Sequence, residues 1–266
     1  MLANFHTHTN FCDGENTPEE MVKSAIDKGF LALGFSGHSY TEFEYRACMH
    51  DTPGYIDEIN RLKEKYKDKI QIYLGIEEDA FTRVRREDFD YLIGSCHFFC
   101  EEGKYYSIDF DHEHFKTCLD VFKGDIIKLS KRYYENFCTY IKKRKPNIIG
   151  HFDLITKFDE IDTPMFLCNK EYNKLAESYL KEALKSECIF EINTGAISRG
   201  YRTCPYPSQN LLYILKENDA KIILSSDSHA VDTLDCKFEE TKKKLLDIGF
   251  KHRYILYDGE FKKIGI

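Results

Sequence analysis

Hydrophobic and polar residues follow two repeating patterns along this chain. Short segments rich in β-branched and aromatic residues predict β-strands, and longer segments in which apolar residues recur every three to four positions predict helices. Seven strands are predicted, at residues 3–7, 31–36, 70–77, 91–95, 147–151, 189–193 and 221–226. Because strands that alternate with helices pair in parallel through βα connections, the pattern indicates an α/β fold around a parallel sheet.

Local signals place helices between these strands. Thr17, followed by Pro18, Glu19 and Glu20, is typical of a helix N-terminus, with a capping hydroxyl, a proline at the first helical position and acids in the first turn. This helix is expected to end before Gly29. Further helices are predicted near residues 55–66, 125–145, 170–186, 208–218 and 238–248.

The length of the chain favours a single domain. Its 266 residues show no break in composition and no low-complexity linker, and seven βα units in a chain of this length fit a barrel that spans residues 1–266. A doubly wound open sheet is the alternative fold. Two long connections, residues 40–54 and 196–207, have the length of lids or binding loops.

Composition and charge exclude several classes of function. The 38 basic and 45 acidic residues give a net charge of −7, and no basic stripe suited to nucleic acid is present. No apolar run approaches the roughly 18 residues of a membrane span, and the first residues do not have the basic and apolar segments of a secretory signal. The ten cysteines are irregularly spaced and are expected to be reduced thiols. We therefore expect a cytoplasmic protein with neither a nucleic-acid nor a membrane partner.

Polar residues follow every predicted strand. In parallel βα proteins the active site is built where the carboxyl ends of the strands meet. These ends read HTH at 6–8, GH at 37–38, GIEED at 75–79, GSCH at 94–97, GH at 150–151, EIN at 191–193 and SSDSH at 225–229. Imidazole, carboxylate or carboxamide groups are therefore expected to gather on one face.

This gathering of side chains predicts a metal centre. Residues i and i+2 of a strand face the same side, so His6 and His8 can reach one ion, and so can Asp227 and His229 if the strand continues that far. Burying so many titratable groups without a cation would be costly. The candidate ligands are His6, His8, His38, Glu77, His97, His151, Asp227 and His229, with Asp13 as a ninth.

The number of ligands indicates more than one ion. A catalytic zinc takes about three protein ligands, so eight or nine ligands fit two or three ions that share a bridging carboxylate. Imidazole and carboxylate suit zinc, manganese and iron. Because ions about 3.5 to 4 Å apart hydrolyse phosphate esters, the expected partner is a small anionic phosphate ester.

The ordered motifs HTHT, GHS, GIEED, GSCHF, GHFDL, EINTG and SSDSHA resemble those of the PHP (polymerase and histidinol phosphatase) family of metal-dependent phosphoesterases. The resemblance is strongest to the monofunctional histidinol phosphatases. It implies a distorted (β/α)7 TIM-like barrel with a trinuclear metal centre at the C-terminal ends of the strands, and hydrolysis of histidinol phosphate in histidine biosynthesis. Another small phosphomonoester or a nucleotide phosphodiester is the alternative substrate. A regulatory protein without catalysis is disfavoured because no motif position is degraded.

The resemblance also implies roles for single residues. It implies that His6, His8 and Asp227 bind the first ion and that His97 and His151 bind the second. The third ion would be bound by His38, Asp13 and His229. Glu77 is similar to the carboxylate that bridges the first two ions, and Glu77, Asp227 and His229 are expected to be catalytic. Glu78 and Asp79 are expected to point elsewhere by strand alternation and to support the site or the fold without binding an ion.

Several further residues are candidates for binding the substrate. Arg199 and Arg202 lie in the loop after the sixth strand, and a guanidinium group pairs with phosphate through two hydrogen bonds. The resemblance favours Arg199, which is also a candidate catalytic residue. Lys157 and His38 are further candidates, and a solvated surface position is the alternative for each basic residue.

Two other motifs are interpreted as unrelated to the site. Asp109 and Asp111 have the D-x-D spacing of aspartyl phosphatases, but Glu113 stands where Thr or Val is expected. His112 and His114 form a second H-x-H in an acidic segment, which is expected to be a surface loop.

Overall fold

The computed structural model describes residues 1–161 and 164–266. Within these residues the chain forms one sheet of nine strands and a separate sheet of two strands. The strands are β1 (Ala3–Asn4), β2 (Ala32–Phe35), β3 (Gln71–Asp79), β4 (Tyr91–Ser95), β5 (Phe98–Glu101), β6 (Lys104–Ser107), β7 (Ile148–Ile149), β8 (Ile189–Asn193), β9 (Ile222–Ser225), β10 (His252–Tyr257) and β11 (Glu260–Gly265).

The large sheet is mostly parallel. Its order is β1-β2-β3-β4-β7-β8-β9-β10-β11, and each neighbouring pair from β1 to β10 is parallel, whereas β10 and β11 are antiparallel. All seven predicted strands are present as β1, β2, β3, β4, β7, β8 and β9. The predicted α/β fold with a parallel sheet is therefore confirmed, and the strand ends that carry the polar motifs lie at one edge of the sheet.

The first and seventh of these parallel strands also meet. Beyond β1 and β9, Thr7 and Ser228 form a parallel bridge, and the N–H of His8 donates to the carbonyl of Ser228 at 2.8 Å. The carboxamide of Asn4 donates to Ser226 Oγ at 2.8 Å. The ends of β1 and β9 are therefore brought side by side.

Eight helices are formed by the described residues. They are α1 (Pro18–Asp27), α2 (Thr52–Tyr66), α3 (His112–Val121), α4 (Ile126–Arg144), α5 (Lys170–Leu184), α6 (Gly195–Ser198), α7 (Gln209–Glu217) and α8 (Phe238–Ile248). The predicted start of α1 is confirmed, because Thr17 Oγ1 accepts a hydrogen bond from the Glu20 N–H while the Glu20 carboxylate accepts one from the Thr17 N–H. None of the described helices is both long enough and apolar enough to cross a membrane.

The interior of the sheet is organised by Tyr91 of β4. Its hydroxyl lies 2.6 Å from the carbonyl oxygen of Phe5, which follows β1. It lies 3.0 Å from the carbonyl oxygen of Phe35, the last residue of β2. A Cβ atom at Gly34 would lie 2.4 Å from this hydroxyl, and one at Gly75 would lie 2.3 Å from the ring. Both positions therefore require glycine so that the ring can pass beneath the strands.

Two predicted strands are shorter than expected, and several observed elements were not predicted. β1 and β7 are two-residue strands, because the chain leaves regular pairing just before the predicted ligands of these strands. The β5–β6 hairpin, α3 and the β10–β11 hairpin were not predicted. His112 and His114 do not lie in a loop but in the first turn of α3, where Asp111 caps the helix by accepting from the His114 N–H at 2.6 Å.

Alternation along β3 separates its three acidic residues. Glu78 points away from the strand-end cluster, is fully buried, and accepts hydrogen bonds from Arg144 Nε at 2.8 Å and Nη2 at 2.9 Å and from the Tyr140 hydroxyl at 3.0 Å. Asp79 lies on the same side as Glu77, because it is two residues further on. The expectation that Asp79 points elsewhere is therefore wrong.

The buried pair of Glu78 and Arg144 is predicted to be important for stability. Arg144→Met would leave a buried carboxylate without its cation, and we expect the free energy of unfolding to fall by about 3 kcal/mol. Arg61→Met, which breaks exposed ion pairs with Glu19 and Glu58, is the control and should cost less than about 1 kcal/mol. Urea denaturation measures both values, and equal losses would contradict this role of Glu78.

Candidate metal centre

Glu77 lies at the centre of a cluster formed by the strand ends. The residue is 1% exposed. Its Oε2 lies 2.9 Å from His38 Nδ1, and its Oε1 lies 3.0 Å from His151 Nε2 and 3.4 Å from His97 Nε2. The hydroxyl of Ser95, at the end of β4, donates to Oε1 at 2.5 Å. One buried carboxylate thus contacts side chains that follow three other strands.

His6 and His8, which follow β1, approach the same carboxylate. His6 Nε2 lies 3.3 Å from Glu77 Oε2 and 3.6 Å from Asp227 Oδ1. For His8 Nε2 the corresponding distances are 3.5 Å and 3.3 Å. Two ligands that are each about 2.1 Å from a tetrahedral ion are roughly 3.4 Å apart. The spacing of His6, His8 and Asp227 therefore fits ligands that share one ion, and Glu77 Oε2 lies beside both imidazoles.

Asp13 forms a second set of contacts at the rim of the cluster. Its Oδ1 lies 3.6 Å from His8 Nδ1, and its Oδ2 lies 3.4 Å from His229 Nε2 and 3.7 Å from His38 Nε2. The rings of His8 and His229 stack with their centroids 4.1 Å apart. The loop between β1 and α1 therefore brings a carboxylate to three imidazoles.

Four overlapping groups in the described part of the chain could hold an ion, with ligand atoms that all lie within 4.8 Å of one another. The groups are His8, Asp13, His38 and His229; His6, Glu77 and His151; His6, His8 and Asp227; and His38, Glu77 and His97. The structure thus brings together all nine ligands predicted from the sequence. His97 and His151, expected on the same ion, fall into separate groups that share Glu77.

Several ligand atoms in this cluster are buried without a hydrogen-bond partner among the described residues. They include His6 Nε2 and His8 Nε2, which both approach Glu77 Oε2. A buried polar atom without a partner costs about 1–3 kcal/mol. Because these three atoms converge, a bound cation would satisfy all of them together, and the residues fit a metal ion.

The pKa values in the cluster have clear physical causes. Burial alone would raise the pKa of the Glu77 carboxyl, but the imidazoles of His6 and His97 hold it well below its ordinary value. Burial, together with the neighbouring imidazoles of His229 and His38, lowers the pKa of His8 to about 3. These shifts favour the ionised form of Glu77 and the neutral form of His8, the forms that bind metal. Burial alone would lower the pKa of His6 and His97, but the neighbouring carboxylates raise it, so these two imidazoles favour the protonated form when no cation is bound.

Asp227 is held in place by its backbone and by Arg199. It follows β9 with φ of 48°, in the left-handed region that few residues other than glycine adopt. Arg199 Nη2 donates to Asp227 Oδ2 at 3.1 Å, and Arg199 Nη1 lies 3.0 Å from His229 Nδ1. A Cβ atom at Gly195 would lie 2.8 Å from Asp227 Cβ, so glycine is required there. The α6 turn thus packs directly against a candidate ligand.

Two carboxylates that were not predicted as site residues orient the histidines. Glu191 Oε1 lies 2.6 Å from His6 Nδ1, and Glu191 Oε2 accepts from the His151 N–H at 2.9 Å. Asp79 Oδ2 lies 3.3 Å from His97 Nδ1 and accepts from the His97 N–H at 2.8 Å. Both acids hold the ring nitrogen that faces away from the cluster, as partners of metal-binding histidines do. Their place at the ends of predicted strands was the signal available in the sequence.

A cavity of about 330 Å³ opens above the cluster. Arg199 and Lys157, both predicted to bind the substrate, line it beside His38. Lys157 Nζ donates to the carbonyl of Asp109 at 2.5 Å and lies 4.9 Å above the ring of Tyr201. Burial lowers the pKa of Lys157. The cavity therefore combines candidate metal ligands with two basic groups.

Arg202 is not among the residues that line this cavity. It is 3% exposed, its Nη1 donates to Thr156 Oγ1 at 2.7 Å, and its guanidinium group lies 4.5 Å above the ring of Tyr206. Gly200, with φ of 75°, turns the chain before Arg202. The structure therefore places Arg202 between two loops, outside the lining that holds Arg199 and Lys157, and its phosphate-binding role stays a prediction.

A parallel α/β fold with clustered imidazoles and carboxylates at its strand ends is the arrangement typical of metal-dependent enzymes of the α/β class. A model of the PHP domain matches residues 4–195, which is most of the chain. The chain therefore belongs to the PHP domain family, as its motifs predicted.

Similar proteins cover nearly the whole chain. A protein of Schizosaccharomyces pombe named "Probable histidinol-phosphatase" is 30% identical, and the match covers 92% of this chain and 86% of that protein. The histidinol-phosphatase of Bacillus subtilis is 24% identical over 88% of this chain and 96% of its own length. The crystal structure of histidinol phosphate phosphatase from Lactococcus lactis, complexed with zinc, L-histidinol and phosphate, has a TM-score of 0.74 at 22% identity and covers 98% of both chains. This last similarity establishes the fold.

Glu191 is predicted to determine metal affinity without binding the ion. Glu191→Gln replaces the charged acceptor of His6 Nδ1 with a neutral amide, and we expect the affinity for zinc to fall by about 10- to 100-fold. Competition with a chromophoric chelator measures the affinity. Glu182→Gln, on the exposed face of α5, is the control. Equal affinities in the two variants would show that Glu191 does not orient His6.

Proposed function

We propose that this protein hydrolyses L-histidinol phosphate to L-histidinol and phosphate in histidine biosynthesis. The observation that carries the proposal is the cluster of nine imidazole and carboxylate ligands beneath a cavity lined by Arg199 and Lys157. Family membership and 30% identity to a relative named as a histidinol-phosphatase support it. Another small phosphomonoester or a nucleotide phosphodiester is the alternative substrate.

The cluster is proposed to hold two or three divalent ions of zinc, manganese or iron. Its donors suit all three metals, and four overlapping groups exceed the ligand set of one ion. When bound, such ions supply Lewis acidity, which lowers the pKa of water and offsets the negative charge of a phosphate.

Arg199 and Lys157 are proposed to bind and orient the phosphate. The guanidinium of Arg199 is held by Asp227 and His229, so its planar donors are fixed before a substrate arrives. Lys157, in the segment after β7, adds a second positive charge to the lining of the cavity. These two cations offset the repulsion between a phosphate dianion and the acids of the site.

The ligands differ in their access to a substrate. The side chains of His38 and His229 are 20% and 22% exposed, whereas those of His6 and Glu77 are fully buried. His38 and His229 are therefore placed to contact the substrate as well as an ion. Glu77 contacts the surrounding imidazoles at the buried side of the cluster. With Asp227, His229 and Arg199 it completes the set of catalytic residues that we propose.

The sheet is proposed to close as a distorted (β/α)7 barrel, and residues 1–266 are proposed to form one domain. The bridge between Thr7 and Ser228 supports closure. The hydroxyl of Tyr91, which contacts carbonyls next to β1 and β2 from β4, also supports it. All ten cysteines are free thiols, which supports a cytoplasmic location.

A panel of phosphate esters tests the proposed activity. The metal-loaded protein is expected to hydrolyse L-histidinol phosphate faster than AMP or bis(p-nitrophenyl) phosphate. Molybdate measures the phosphate released from the two monoesters, and absorbance measures the p-nitrophenol released from the diester. A chelator should abolish release, and added zinc or manganese should restore it, because the cluster supplies no other cation at its centre. Faster hydrolysis of a nucleotide would favour the alternative, and inactivity toward every ester after metal loading would contradict both.

The phosphate-binding role of Arg199 is tested by substitution. Arg199→Ala removes a charged donor from the cavity, and we expect kcat/KM for L-histidinol phosphate to fall roughly tenfold or more. Arg199→Lys keeps the charge but not the paired donors, so its loss should be intermediate. Metal content, measured by atomic emission, should be unchanged. Kinetics identical to the parent protein would remove Arg199 from the phosphate site.

A further inference from the structure

Asp109 lies in a segment that covers one side of the metal-site cavity. This covering segment consists of the β5–β6 hairpin and α3, residues 98–121, and Asp109 lies between β6 and α3. It lines the same cavity as His38, His97 and Asp227, and its side chain is 21% exposed. A carboxylate that is not a candidate metal ligand therefore faces the space in which a substrate would bind.

The carboxylate of Asp109 has unused capacity for hydrogen bonds. A carboxylate offers about four acceptor positions. Within the described chain, the Ser107 hydroxyl donates to Oδ1 at 3.2 Å. Lys157 Nζ lies 3.7 Å from Oδ2, and its short hydrogen bond is made to the Asp109 carbonyl instead. A donor entering the cavity can therefore bind the carboxylate without displacing a close partner.

The other acids that line the cavity already have hydrogen-bonding or ionic partners. Asp13, Glu77 and Asp227 contact imidazoles of the metal cluster. Glu44 accepts hydrogen bonds from the N–H, Nε and Nη2 of Arg46.

Asp79 is committed in the same way, since it accepts from the N–H groups of Phe81 and His97. Asp109 is thus the lining carboxylate with the fewest side-chain and backbone partners among the described residues. A side chain of this kind selects for a cation, because an ionised acceptor forms stronger hydrogen bonds to charged donors.

The substrate of the proposed reaction carries charge of both signs. Its phosphate group is an anion, and its amino alcohol carries an ammonium group and an imidazole. The phosphate belongs beside Arg199 and the metal ligands, so the ammonium group must be accommodated by another part of the cavity.

We propose that Asp109 accepts a hydrogen bond from the ammonium group of the substrate and thereby selects phosphate esters of cationic amino alcohols. This inference rests on the proposed function, because it takes histidinol phosphate as the ester that is bound. It assigns specificity to the covering segment and phosphate binding to the segments that follow β7 and β8. A different role for Asp109, in which it only positions Lys157, makes a different kinetic prediction.

The test compares two substrates that differ in one group. L-histidinol phosphate has the ammonium group, and 3-(imidazol-4-yl)propyl phosphate, which keeps the same three-carbon chain, does not. In the metal-loaded protein, Asp109→Asn is expected to lower kcat/KM for L-histidinol phosphate by about 10- to 100-fold, mainly through KM. The value for the analogue should change by less than about twofold. Asp120→Asn, on the exposed side of α3, is the matched control and should leave both values unchanged.

Lys157→Met completes the design, because loss of a phosphate-binding cation should slow both substrates to the same extent. If Asp109→Asn also slows both substrates equally, Asp109 acts through Lys157 and the inference is wrong. Unchanged kinetics of Asp109→Asn with both substrates would overturn it as well. Failure of the proposed function is seen separately, as inactivity of the unsubstituted protein toward L-histidinol phosphate while another ester is hydrolysed.

Discussion

The burial of one carboxylate, Glu77, is the constraint on which the rest of the site depends. An ionised carboxylate removed from water is stable only where positive charge or several donors surround it. Here the compensation comes from imidazoles that follow β1, β2, β4 and β7 and from the hydroxyl of Ser95. Each of those strands must therefore end level with the Glu77 carboxylate. The hydroxyl of Tyr91 fixes the relative positions of the ends of β1 and β2, and two glycines leave room for its ring. Because bound cations would satisfy the same atoms, metal binding would also stabilise the folded chain.

The acidic residues of β3 show how a strand can serve structure and chemistry with consecutive side chains. Glu77 and Asp79 face the cluster, where one contacts the imidazoles and the other orients His97. Glu78 faces the opposite way and fixes α4 through Arg144. The rigid support and the reactive array are therefore only one residue apart, so that a shift in register would exchange the two environments.

The positions of the candidate ligands were predictable because they depend on local rules. A strand end in a parallel sheet has a known location, and alternation decides which side chains share a face. The covering segment was missed because Lys104 and Tyr105 are exposed in β6, so the hairpin has no clear pattern of buried positions. The orientation of Arg202 depends on a turn at Gly200 and on contacts with a distant loop, which its sequence neighbourhood does not encode. Asp109 and Arg199 are 90 positions apart in sequence numbering, and only the folded chain places them at one cavity.

The covering segment has a consequence for how such an enzyme can diverge. Among the described residues, the two strands of its hairpin pair with each other and not with the large sheet, so changes of length or sequence there leave the parallel strands and their candidate ligands in place. The reactive centre and the surface that chooses the leaving alcohol are therefore inherited on separate parts of the chain. A gene that retains the first and replaces the second would keep its hydrolytic chemistry while acquiring a new metabolic role.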